Sequence, residues 1–153
     1  MVMTAKVNLK KITMLLGALA LVIILLVMLL GGRTQPTGAP AISDNDARVK
    51  FLEGFGWQVS AAPVESGQVK IPAEKNEVFD RYARLQESQG YDLTSYAGKA
   101  VMRYVYQITN YPDATDPVYA TLLVYKNQVI GGDITNTGPQ GKIHGFSMPG
   151  KEQ

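Results

Sequence analysis

The chain has no cysteine, one histidine and one tryptophan among its 153 residues. Without cysteine there is no disulfide, no thiolate nucleophile, no iron–sulfur cluster and no cysteine-based zinc site. Attachment to lipid through a cysteine falls away for the same reason. A single histidine gives no basis for a metal site built on imidazoles, so no metal and no cofactor is expected. A large net charge is missing too: 15 Lys and Arg face 13 Asp and Glu, for a net of +2. Lys6, Lys10 and Lys11 precede the first hydrophobic run, so the remainder carries 12 basic and 13 acidic side chains, a net of −1. That remainder has no bulk attraction for nucleic acid, and no nucleic-acid partner is expected.

One long hydrophobic run is present. ITMLLGALALVIILLVMLL, Ile12 to Leu30, contains no charge. At about 1.5 Å per residue it reaches roughly 28 Å, close to the hydrocarbon thickness of a bilayer. Three lysines before it and a single Arg33 after it predict a cytoplasmic N-terminus and an extracytoplasmic remainder. The rival reading is a secretory leader cleaved after Ala41 at the small-residue box Ala39–Ala41. However, the run is longer than a leader's apolar core, and the box lies beyond a polar stretch containing Pro36. The expected organisation is a basic flank at 1–11, a membrane-spanning signal anchor at 12–32 and a flexible Gly/Pro/Thr-rich tether at 33–43. A folded domain at 44–148 and a short tail at 149–153 complete it.

Within that domain, SDNDARVKFLEGFGW opens with helix-start residues. Ser43, Asp44 or Asp46 can cap; Val49, Leu52 and Phe55 keep helical spacing; Gly54 or Gly56 offers a left-handed stop. Asp44 and Asp46 lack the glycine and terminal glutamate of a calcium loop, so capping is the expected role. WQVSAAPVESGQVKIP reads as extended chain interrupted by Pro63 and Gly67, suited to a sheet edge. A second helix follows Pro72, with Val78, Tyr82 and Leu85, beside Phe79, as its apolar stripe and Gly90 as its end.

Three strands in a meander are predicted next: KAVMRYVYQITNY, VYATLLVY and QVIGGDIT. Met102, Tyr104, Tyr106 and Ile108 share one face of the first, with Arg103, Gln107 and Thr109 on the other. Lys126-Asn127 suits a two-residue hairpin, since Asn tolerates positive φ. The middle strand is apolar on both faces and is expected at the centre, with helices covering one face and something partly covering the other. The predicted fold class is therefore α+β: an N-terminal transmembrane helix, then two helices on a mostly antiparallel sheet with a C-terminal three-stranded meander.

RVKFLEGFGWQV, GYDLTSYAGK, RYVYQITNYP, LLVYKNQVIGGDI and HGF, in this order from Arg48 to Phe146, resemble the bacterial domain-of-unknown-function family 4830. The resemblance implies an extracytoplasmic domain behind a membrane anchor, in Gram-positive-type bacteria. It brings no activity, ligand or catalytic residue.

Candidate sites are few. Gly141-Lys142 fails as a phosphate loop, because Asn136 replaces the first glycine, Ile143 replaces the hydroxyl, and no helical pattern follows; no nucleotide is expected. Asp133, His144 and Ser147 are the side-chain types of a hydrolytic triad, but the local GFSMPG is no nucleophile elbow. All eight tyrosines and Trp57 follow the hydrophobic run. Rings with polar tips suit peptide or glycan recognition, which makes Trp57, Tyr119, Tyr125 and His144 the candidate binding residues. The same rings also suit a small core, and Trp57 beside Gly54 and Gly56 fits a core plug. Together these features predict a single-pass protein of the cell membrane and no enzyme. Its domain would be a non-catalytic binding or regulatory module for a peptide, an envelope component or a partner protein. The alternative is a cell-surface hydrolase using His144 with Asp133 or Ser147.

Overall fold

A computed structural model describes residues 41–150. Helix α1 (Asn45–Glu53) leads to strand β1 (Glu65–Lys70), helix α2 (Glu77–Ser88) and a 3-10 turn (Leu93–Tyr96). Strands β2 (Ala100–Ile108), β3 (Val118–Tyr125), β4 (Gln128–Asn136) and β5 (Ile143–His144) follow. The five strands pair in the order β1-β2-β3-β4-β5, every pair antiparallel. The fold is thus α+β, with β3 at the centre of the sheet and β1 at one edge. Strand β5 has no counterpart in the sequence reading, because two residues are too few to show an alternation. Among the described residues no helix is long and apolar enough to cross a membrane. The run Ile12–Leu30 lies outside the described residues, as does most of the tether.

Local chemistry explains where the helices begin and end. The Asp44 carboxylate accepts the Ala47 N–H at 2.8 Å, and the Asn76 side chain accepts the Phe79 N–H at 2.8 Å. Each satisfies one of the amides that a helix start leaves unpaired. Gly56 (φ +92°) and Gly90 (φ +87°) supply the left-handed turns that follow the two helices. Between β3 and β4, Lys126 and Asn127 both take positive φ, the mirror-image turn that matches the twist of the flanking strands. Ile42 is 2% exposed and donates its N–H to the Asn127 carbonyl. The folded unit therefore starts before Ser43, earlier than the end expected for the tether.

Alternation along the strands creates two cores. On one face Tyr106, Ile108, Leu122 and Ile134 pack with Leu52 of α1, Trp57 and Phe146. On the other, Val101, Leu123 and Ile130 pack with Leu93 and with Phe79 and Tyr82 of α2. One helix lies on each face, whereas the sequence reading placed the helices together. The reason is the central strand: β3 is apolar on both faces, and each face needs its own cover.

The stripe of α2 also differs from expectation. Val78 is 72% exposed, while Gln86 is fully buried. β5 pairs with β4 only at Ile134↔His144 and Thr135↔Ile143, so the ladder stops before Gly132. Two glutamines of the α2 end take its place. Gln86 Oε1 accepts the Gly132 N–H at 2.8 Å, Gln89 Nε2 donates to the Gly132 carbonyl at 3.0 Å, and Gln89 Oε1 accepts the Phe146 N–H at 2.7 Å. Buried backbone groups must find partners, and that demand turns polar residues inward. Gly131 and Gly132 allow the approach: a Cβ on Gly131 would lie 2.9 Å from Gln86 Oε1.

Candidate functional site

The structure separates the residues that the hydrolytic reading joins. Ile134 pairs directly with His144, so both side chains stand on the α1 face of the sheet. Asp133, one residue earlier, points to the opposite face. Its oxygens are taken: Tyr82 Oη donates to Oδ2 at 2.8 Å and Thr135 Oγ1 to Oδ1 at 2.7 Å. His144 Nδ1 donates to the Gly145 carbonyl at 2.7 Å, and Nε2 is paired with Tyr111 Oη at 3.1 Å. Ser147 is exposed and forms no hydrogen bond with His144. No nucleophile–base–acid relay is assembled from these three.

Trp57 offers no ring to a ligand. It is 1% exposed, stacks on Tyr111 with ring centroids 5.6 Å apart and planes 5° apart, and donates Nε1–H to the Phe146 carbonyl at 2.6 Å. The indole anchors the segment after β5 to the α1-side core, as a core plug would. Phe146 is 1% exposed, in edge contact with Phe51 and Tyr91, and His144 is left half-buried at the rim. Tyr119 and Tyr125 share the α2 face but stand six positions apart on β3, about 20 Å at strand rise, too far for one small ligand. Tyr125 packs edge-on against Tyr96, with Lys99 and Lys126 over its ring.

The structure instead brings together a set of residues that the sequence gives no reason to join. On the α2 face a groove of about 380 Å³ is walled by Val69, Ile71, Pro72, Phe79, Leu93 and Leu123. Its polar lining is Tyr82 from α2, Arg103 from β2, Thr121 from β3, and Asp133 and Thr135 from β4, with Ile143 at the β5 end. Asp133 is 6% exposed. Burial pushes its carboxyl above the usual carboxylate range, against the opposing pull of the Thr135 and Tyr82 hydroxyls, Arg103 and His144. Burial likewise drives the Tyr82 phenol far above its ordinary value, and the neighbouring Asp133 charge adds to the shift. Tyr82 is therefore held as a donor, and Asp133 accepts through both oxygens from the two hydroxyls beside it. Among the described residues no group of three His, Asp or Glu side chains is placed to hold a metal ion.

A second hollow, about 350 Å³, lies between α2 and the 3-10 turn. Its lining carries two bases, Lys75 and Arg84, and three acids, Asp80, Glu87 and Asp92. The groove on the sheet combines an apolar wall with a few convergent polar groups, the usual make-up of a ligand site.

The family model of a domain of unknown function (DUF4830) matches residues 51–134, more than half of the chain. The chain belongs to this family. The DUF4830 region includes Tyr82, Arg103, Thr121 and Asp133, while the start of α1 and β5 with His144 lie beyond it. Comparison with curated proteins and with solved structures returns no match.

Proposed function

We propose that the protein is a membrane-anchored, extracytoplasmic and non-catalytic binding module whose recognition site is the groove beside α2. The groove itself carries this reading: an apolar trough floored by an acid whose oxygens are immobilised by two hydroxyls. Such an acid is built to orient a bound group rather than to move a proton, since its hydrogen bonds would have to break for it to act as a base. Support for the location comes from Ile12–Leu30 with lysines before it, and the tether gives the domain reach. A peptide segment of an envelope or partner protein is the occupant best suited to an open groove with an apolar wall and a few polar groups.

Site-specific photo-crosslinking in intact cells tests the reading. A photoreactive residue at Ile143, at the groove, is expected to capture a discrete partner, and the same residue at the still more exposed Val78 is not. Equal capture at both positions, or none at Ile143, refutes the groove. Hydrolytic turnover by the purified protein refutes the non-catalytic assignment, and an N-terminus accessible from outside the cell refutes the orientation.

A further inference from the structure

We infer that the groove receives a lysine side chain of a polypeptide partner, its ammonium on Asp133 and an adjacent aliphatic residue on Ile143. This inference deepens the binding reading and rests on it. Asp133 is more than nine-tenths buried, lines the groove, and among the described residues has no cation within ion-pair distance. The basic side chain in the groove, Arg103, is bound by Glu65 from β1. Arg103, Glu65 and Asp133 together carry a formal charge of −1, and on the buried member the cost of burial outweighs the pull of Arg103. A buried charge needs a partner, and here the ligand supplies it.

The geometry also selects the kind of cation. Tyr82 and Thr135 each occupy one carboxylate oxygen, leaving a single lone-pair site on each. A guanidinium fork needs both oxygens side by side. A compact ammonium does not, and its four-carbon stem suits the apolar wall of Phe79, Leu93 and Leu123. A metal ion would need further ligands that the described residues do not bring together. The occupant is a polypeptide rather than a free amine because Ile143 stands 58% exposed at the end of the groove. A neighbouring aliphatic side chain would cover it, and a lone alkylamine would leave it in water.

The test uses the immobilised full-length protein in detergent and pooled pentapeptides with random flanks. The central residue is lysine, norleucine, arginine or glutamine. Lysine is expected to be enriched about tenfold over norleucine and over arginine in the bound fraction. Asp133→Asn should abolish that enrichment, with folding checked by the emission of Trp57, and Ile143→Ser should reduce retention of every pool. If Asp133→Asn does not fold, the lysine-to-norleucine ratio on the unaltered protein decides by itself. Equal retention of lysine and norleucine, both weakened by Ile143→Ser, overturns the lysine inference and leaves the groove standing. Retention of no pool, or retention indifferent to both substitutions, overturns the groove as well. Full displacement of the lysine pool by n-pentylamine at equal concentration overturns the polypeptide assignment.

Discussion

Replacing Gly132 with alanine drives a methyl group into two neighbours that cannot move aside. The added Cβ would lie 2.2 Å from the Thr121 carbonyl oxygen and 2.4 Å from Phe146 Cζ. The first is backbone of the adjacent strand. The second belongs to a ring that is 1% exposed, touches three other aromatic rings, and has its own carbonyl held by Trp57. Overpacking of a rigid core costs about 1–3 kcal/mol, and a clash with backbone on one side and a locked ring on the other belongs at the upper end. A loss of about 3 kcal/mol lowers the melting temperature by on the order of 10 °C in a domain of this size. Gly67, on edge strand β1, is the internal control. Nothing lies within 4 Å of a Cβ there, so Gly67→Ala should leave stability unchanged or raise it by up to about 1 kcal/mol. Gly131→Ala should fall between them, because the obstructing atom is the end of the Gln86 side chain. Urea unfolding of the three variants, followed by Trp57 emission and far-ultraviolet circular dichroism, gives the ranking. If Gly132→Ala is no less stable than Gly67→Ala, then the close packing of Phe146 under β4 is wrong.

Other perturbations follow from the same contacts. Gln89→Leu leaves the Gly132 carbonyl and the Phe146 N–H without their partner, and should cost about 1–3 kcal/mol in urea unfolding; no measurable loss would refute the glutamine substitute for the sheet ladder. The native carboxyl of Asp133 titrates above its unfolded value, so the folded state holds the proton more tightly and stability falls as pH rises from the unfolded value through the raised native one. Asp133→Asn removes that decline, and its stability relative to the unaltered protein should improve with pH across this window; an unchanged difference refutes the burial of the charge. Trp57, the single tryptophan, should emit at short wavelength and resist acrylamide quenching until the domain unfolds; strong quenching in the native state would refute its placement in the core.

Much of the architecture was legible in local chemistry. Period-two alternation in Met102–Ile108 and in the residues around Leu123 announced strands and their faces, because a pleated chain sends successive side chains to opposite sides. Asp44, Asn127, Gly56 and Gly90 marked starts, turns and stops, because their roles depend on their own backbone or on residues a few positions away. The apolar face of α2 was misread at Val78 and Gln86. Burial of Gln86 answers to a backbone gap in β4, 46 positions later in the chain, which no helical periodicity reports.

The candidate site was far less legible. Asp133 and His144 look like partners in sequence, but the pairing of Ile134 with His144 sets them on opposite faces of one sheet. Tyr82 and Asp133 are 51 positions apart, yet they share a hydrogen bond because α2 is laid across β4. By itself the sequence determined the order of the elements, the two apolar faces of β3, the absence of thiol chemistry and the long uncharged run. Only the tertiary structure decided which face each helix covers, which rings are buried and which acid lies in a groove outside ion-pair distance of the described cations. The division has one cause. Propensity, capping and periodicity act over a few residues, whereas a site is made by side chains that meet only after the sheet has chosen its register and its cover.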